Sequence, residues 1–195
     1  MRCPIIPLVF AAVLPLAGCE TLGLTSTPQI TLNPGPVCPA TAVLSDAATV
    51  TKLKPGASVS MPKPADISFQ AEMSQARLNC NFNRTDNKLA VGVTFAVKAS
   101  RGPGASGMDP QLPFFVAIID TDNNIVAKSV YNSQPEMSGR ASNTYTETVS
   151  AFPVPLAMDR QPSDYEILTG FQLTPDELAY NRIPRSIPAP RAAAR

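Results

Sequence analysis

Residues 75–98 read QARLNCNFNRTDNKLAVGVTFAVK. From Gln75 to Phe82 the alternation is unbroken: Ala76, Leu78, Cys80 and Phe82 face one way, Gln75, Arg77, Asn79 and Asn81 the other. Leu89, Val91, Val93, Phe95 and Val97 keep the same period between Lys88 and Lys98. A helix face repeats at i, i+3 and i+4, whereas a period of two belongs to a half-buried antiparallel strand. Asn83 to Asn87 between the two halves is turn composition, so the stretch reads as a β-hairpin with Cys80 facing the core. Asn83-Arg84-Thr85 has the form of a glycosylation sequon and is read here as turn chemistry.

Working outward, Ile67, Phe69, Ala71 and Met73 alternate in the same way. Phe114 to Ile119 is a continuous apolar run suited to a strand covered on both faces, and Ile125 to Tyr131 follows a tight turn. Thr144 to Phe152 is Thr-rich and β-branched, the composition of a strand with a solvated face. Thr41 to Leu44 and Thr49 to Leu53 are two short candidates, and on the last strand Tyr165, Ile167, Phe171 and Leu173 share a face. The only clear helix signal comes next, at Thr174-Pro175-Asp176-Glu177: a capping Thr, Pro at the first helical position and Glu three after the cap. Seven to nine short strands separated by turns predict an all-β fold, an antiparallel β-sandwich over residues 38–182 with a terminal helix at 175–182. The alternative is a small β-barrel. Pro162-Ser163-Asp164-Tyr165-Glu166-Ile167 resembles the tyrosine corner of immunoglobulin and fibronectin-type III sandwiches, which implies a bond from Tyr165 back to an upstream backbone group.

The start of the chain is of another kind. Met1-Arg2 precedes the apolar run IIPLVFAAVLPL, residues 5–16, too short for a stable membrane span and in the place of a secretory signal. Leu16-Ala17-Gly18-Cys19 resembles the lipobox of bacterial lipoprotein signal peptides. The resemblance implies that residues 1–18 are removed and that Cys19 becomes a lipidated first residue carrying a diacylglyceryl group and a further acyl chain. At ~0.8 kcal/mol per buried methylene, two or three chains make a stable anchor where one does not. In that family an aspartate after the cysteine usually holds the product in the inner membrane; Glu20 stands here, which implies the outer membrane, facing the periplasm. The alternative is an ordinary signal peptide with Cys19 left for a disulfide. Residues 20–37 are rich in Thr, Pro and Gly, a tether of roughly 60 Å when fully stretched.

Without residues 1–18 the chain keeps 177 of its 195 residues, enough for one domain with a real core. It also loses Arg2, one of 16 basic side chains, leaving 15 against 15 acidic and no field that points to nucleic acid. Cys3 leaves with the signal and Cys19 is lipidated, so Cys38 and Cys80 remain. In an oxidising periplasm they most economically pair with each other; two separate buried thiols are the alternative. There is no histidine, which excludes Ser-His-Asp and Cys-His nucleophiles, His-ligated zinc and an imidazole proton shuttle. An enzyme would have to run on carboxylates or a lysine. Tryptophan is absent as well, so the cysteine and tryptophan arrangement of antibody-type domains is not present.

Three stretches carry candidate chemistry. Asp120-Thr121-Asp122-Asn123-Asn124 has carboxylates at calcium-ligand spacing, but Ile125 stands where an EF-hand loop needs glycine and Tyr131 where it needs its bidentate acid, so it reads as a hairpin turn and no metal is expected. Arg101-Gly102-Pro103-Gly104-Ala105-Ser106-Gly107 lacks the Lys-Ser/Thr ending of a phosphate loop and reads as a long flexible loop, the first candidate contact surface. Arg182, Arg185, Arg191 and Arg195 gather the excess positive charge in a Pro- and Arg-rich tail, 183–195, the second candidate. With no nucleophile and base to name and no cofactor implied, the expectation is a non-enzymatic interaction or structural module of the cell envelope. It is held to the membrane by its N-terminal lipid and touches an envelope protein. A small-ligand or metal-binding protein, and an assembly factor or pilotin for an envelope machine using its strand edges, are the alternatives.

Overall fold

The computed structural model describes residues 38–83 and 85–183, all within one unit, Gly35–Arg195. The signal stretch, Cys19, the 20–37 segment, Arg185, Arg191 and Arg195 lie outside the described residues. The hairpin reading holds: Arg77–Asn83 (β4) pairs antiparallel with Lys88–Arg101 (β5), Cys80 opposite Val91. Asn83 closes the turn, its side-chain Oδ1 accepting from the backbone N–H of Thr85 at 3.0 Å and of Asp86 at 3.3 Å.

β5 is the spine of a five-stranded sheet. Along one edge it pairs with Ser142–Val154 (β8) over nearly its full length. Along the other edge lie β4 and, beyond it, Ile67–Met73 (β3), both antiparallel to β5. β3 and β4 are therefore two halves of one line, broken at Ser74-Gln75-Ala76. Met73 sits opposite Val97 and Arg77 opposite Thr94, four steps against three, so one extra residue bulges there. Ser74 repairs the ladder: its N–H donates to the Ala96 carbonyl at 2.8 Å, and its Oγ accepts from the Ala96 N–H at 2.9 Å where a backbone carbonyl would otherwise stand. Thr49–Leu53 (β2) pairs with the outer edge of β3.

The second sheet has the order β1-β9-β6-β7, from Ala40–Val43 (β1), Glu166–Phe171 (β9), Leu112–Ile119 (β6) and Ile125–Ser133 (β7). Its pairings are antiparallel except for β1 with β9, which is parallel. Two packed sheets, with no strand pairing that joins them among the described residues, make a β-sandwich rather than a closed barrel. The inner faces meet in one cluster, in which Phe69, Met73, Val91, Val93, Phe95 and Val97 oppose Phe114, Val116, Ile118, Ile167 and Phe171. Phe95 meets Phe114 edge-on at 5.1 Å, and Phe114 stacks on Tyr131 at 5.4 Å.

The apolar run of β6 is covered on both faces, as its composition predicts. Phe115 and Ala117, pointing away from the main core, form a second small cluster with Ala47 from the short 3-10 turn Ser45–Ala47. That turn lies so close to β9 that a Cβ on Gly170 would stand 2.7 Å from the Ala47 Cβ. The helix Pro175–Asn181 (α1) is capped as its sequence predicts: Glu177 N–H donates to Thr174 Oγ1 at 3.3 Å, and Thr174 N–H donates to Glu177 Oε2 at 2.8 Å. α1 is tied to the first residues of the sandwich by the Asn181 side chain, which donates to the carbonyls of Asp46 at 2.9 Å and Thr49 at 2.8 Å.

Strand directions sort the connections into two ends. Cys38, the turn Thr85–Asn87, the turn 120–124 and the loop 155–165 lie at one end, and the loops 54–66, 102–111 and 134–141 lie at the other. The Cys38 to Cys80 disulfide, with Cα atoms 5.8 Å apart, is at the first end. It joins the residue that leads into β1 of one sheet to β4 of the other.

Candidate functional site

The glycine-rich loop 102–111 is held to the sandwich rather than free. Gly102 N–H donates to the Ser68 carbonyl at 3.0 Å and Gly104 N–H to the Ile67 carbonyl at 2.8 Å, which prolongs the β3 to β5 ladder past Arg101. The glycines are needed for that approach: a Cβ on Gly102 would stand 2.2 Å from the Ile67 carbonyl oxygen, and one on Gly104 2.5 Å from that of Ala65. The sequence shows the glycines; the strand they lie against is set by tertiary pairing. Past them the loop turns back on Arg101, whose Nε and Nη2 reach Asp109 Oδ1 at 2.9 and 2.8 Å. Arg101 is thus engaged within its own loop, leaving part of the guanidinium exposed.

Around this latch lies a groove of about 170 Å³ lined by Lys52, Ser68, Arg101, Ser106, Met108 and Asp109. Lys52 also lines a second groove, of about 260 Å³, between the 54–59 segment and α1. There its ammonium meets Glu177 Oε1 at 2.6 Å. These grooves fall below the usual volume of a small-molecule pocket. A larger one, about 370 Å³, lies open on the sheet face at the Ser74 bulge beside Arg77, Thr94 and Thr146.

The other candidates lie apart. Arg182 donates through Nε to Asp46 Oδ2 at 2.8 Å, fixing the end of α1 to the start of the sandwich. The Asp120 turn is a closed hydrogen-bonded hairpin: its Oδ1 accepts from the N–H groups of Asp122 and Asn124, both at 2.9 Å. The Asn124 N–H is the largest influence holding the Asp120 carboxyl below its ordinary pKa. Arg160 ties the turn to the 155–165 loop through Thr121 Oγ1 at 2.7 Å. Among the described residues no group of three His, Cys, Asp or Glu is placed to hold a metal ion.

Sequence reading missed a polar knot between the sheets. Ser133 Oγ, buried at the end of β7, donates to Glu147 Oε1 at 2.7 Å and hydrogen-bonds the Tyr145 hydroxyl at 2.7 Å. Burial, the largest influence, pushes the Tyr145 pKa up; the Ser133 bond opposes this, and the Glu147 charge adds to the rise. Tyr145 and Glu147 share the inward parity of Val149, a signal hidden by the Thr-rich outward face of the same strand. Ser133 beside a carboxylate has the composition of a nucleophile and base, yet its oxygen is enclosed between the two sheets.

The open edges differ. β8 carries an inward Glu147, a bulge at Ser150-Ala151 and Pro153, devices that discourage another strand from pairing. β7, the end strand of its sheet, exposes Ile125, Val126 and Val130, while the Lys128 ammonium stands 4.7 Å over the Phe115 ring. The Tyr165 contact expected from the tyrosine-corner resemblance is present: the Ala157 N–H donates to its hydroxyl at 3.1 Å. Compared with known families, curated proteins and solved structures, the chain matches none.

Proposed function

We propose that this protein is an outer-membrane lipoprotein of the cell envelope, anchored through Cys19 and facing the periplasm, whose sandwich acts through protein contacts rather than catalysis. The observation that carries the reading is Leu16-Ala17-Gly18-Cys19 directly behind a 12-residue apolar run. The disulfide between Cys38 and Cys80 agrees with an oxidising compartment. On this reading the loops 54–66, 102–111 and 134–141, opposite Cys38, form the end that meets a partner. The uncovered edge of β7 offers a second mode, strand addition of the kind an assembly factor would use.

The anchor is tested by fractionating cells that carry Cys19→Ala: the protein is expected in the soluble periplasm, and full retention on membranes would overturn the lipobox reading. The partner is tested by crosslinking intact envelopes and purifying the protein. Recovery of a stable second protein is expected, and recovery of the protein alone would count against an interaction module.

A further inference from the structure

We propose that Met61, Met108 and Met158 are surface oxidation sites, thioethers that accept an oxygen atom from two-electron oxidants such as hydrogen peroxide or hypochlorous acid while the fold stays intact. The side chains divide sharply by position. Met61 is 81% exposed, Met108 96% and Met158 100%, whereas Met73 at 4% and Met137 at 1% belong to the main core. The exposed three sit in the loops 54–66, 102–111 and 155–165, outside every strand. Methionine is ordinarily an interior residue valued for filling irregular gaps, and a side chain standing in water contributes no such packing. What remains at these positions is the chemistry of sulfur.

The step is an oxygen transfer. A sulfur lone pair attacks the terminal oxygen of the oxidant, an S–O bond forms as the O–O or O–Cl bond breaks, and sulfur gives up two electrons. The displaced hydroxide or chloride takes the electron pair, and the proton on the transferred oxygen passes to the hydroxide, which leaves as water, or to solvent where chloride leaves. The product, methionine sulfoxide, is polar and chiral, and sulfoxide reductases return it to the thioether. At the three loop positions the new dipole projects into solvent and disturbs no contact of the core. In the core it would not be harmless: Met73 Sδ lies 3.9 Å from Thr169 Oγ1 among apolar neighbours, and an added oxygen has no space between the sheets.

The test is a time course of the purified folded protein in hydrogen peroxide, read by peptide mass spectrometry at each methionine. Met61, Met108 and Met158 are expected to gain one oxygen each at rates within a few-fold of methionine in an unstructured peptide, with Met73 and Met137 at least about tenfold slower. The melting temperature is expected to stay unchanged after the fast phase, and treatment with a sulfoxide reductase to remove the added mass. In urea Met61, Met73, Met108, Met137 and Met158 should react alike, showing that burial alone protects the core pair. The M61Q/M108Q/M158Q variant should fold and lose the fast phase. Equal rates at all five sites in the folded protein, or unfolding caused by oxidation of the loop sites alone, would overturn the proposal.

Discussion

Ala151 has a φ of 54°, in the left-handed region, at the bulge where Ser150 and Ala151 together oppose Gly92 of β5. A Cβ in that region costs about 1–2 kcal/mol, and glycine avoids the cost while losing more chain entropy on folding. Because the Ala151 side chain is exposed and packs against nothing in the core, Ala151→Gly is expected to raise stability by about 0.5–1 kcal/mol, read as a higher urea midpoint. A lower midpoint would show that the conformation is not strained. Asp120 offers a pH-dependent test. Its carboxyl is held below the ordinary range by the Asn124 N–H first, so its charged form is favoured in the fold. That contribution is present above the unfolded-state pKa and is lost as pH falls through the lower folded-state value. Asp120→Asn keeps an oxygen acceptor and removes the charge. Its stability gap from the unaltered protein is therefore expected to be widest near neutral pH and to close in acid; a gap independent of pH would place the effect elsewhere. The Asx-rich sequence makes the turn legible, but the pKa shift depends on backbone N–H directions that only the folded hairpin fixes.

The elements were legible where one face is apolar and the other polar. Ile67–Met73 lies where its alternation puts it, Thr49–Leu53 forms the short strand its composition suggests, and the α1 cap is the one its Thr, Pro and Glu predict. What periodicity does not carry is partnership. Alternation in Ile67–Met73 and Arg77–Asn83 says that each is a strand, and nothing in it says that both lie on one edge of β5 with Ser74 supplying the missing acceptor. The parallel pairing of β1 with β9 joins residues more than 120 positions apart, beyond the reach of any local pattern. The disulfide acts at this scale. Cys38 lies just before β1 and Cys80 within β4, so the bond holds the end of one sheet against a strand of the other whose Leu78 and Phe82 are only partly buried. With the cysteines 42 positions apart, closing the loop is worth about 4 kcal/mol from chain entropy alone. The C38S/C80S double variant is expected to unfold at a clearly lower urea concentration, with a slope no shallower than that of the bridged protein because its unfolded chain is free to expose more surface. An unchanged midpoint would mean that the sheets hold together without the staple.

At the scale of the whole molecule, the sandwich class comes from the number and length of its strands, whereas the assignment of loops to two ends comes only from strand order and direction. Sequence reading marks the glycine-rich loop as a contact surface because long flexible loops are often where binding happens. The fold instead fixes Gly102 and Gly104 against β3 and presents the next turn of the loop, Ser106 to Asp109, at the end opposite Cys38. If the protein is tethered through the residues before Cys38 and works by contact, the opposite end is the one free to reach a partner. A photocrosslinking amino acid at Ser106 is therefore expected to yield an adduct with another envelope protein, while the same group at Thr85, at the Cys38 end, or at Thr146, on the outer sheet face, is not. The Arg101 to Asp109 latch gives a second handle. As a partly exposed ion pair it contributes about 1 kcal/mol to stability, so Arg101→Ala should lower the melting temperature by no more than a few degrees. The same change frees the loop it closes, and the Ser106 adduct should fall. Strong adducts at Thr85 with none at Ser106 would turn the molecule round, making the Cys38 end the contact surface; an undiminished Ser106 adduct in the Arg101→Ala protein would show that the latch has no part in presenting the loop.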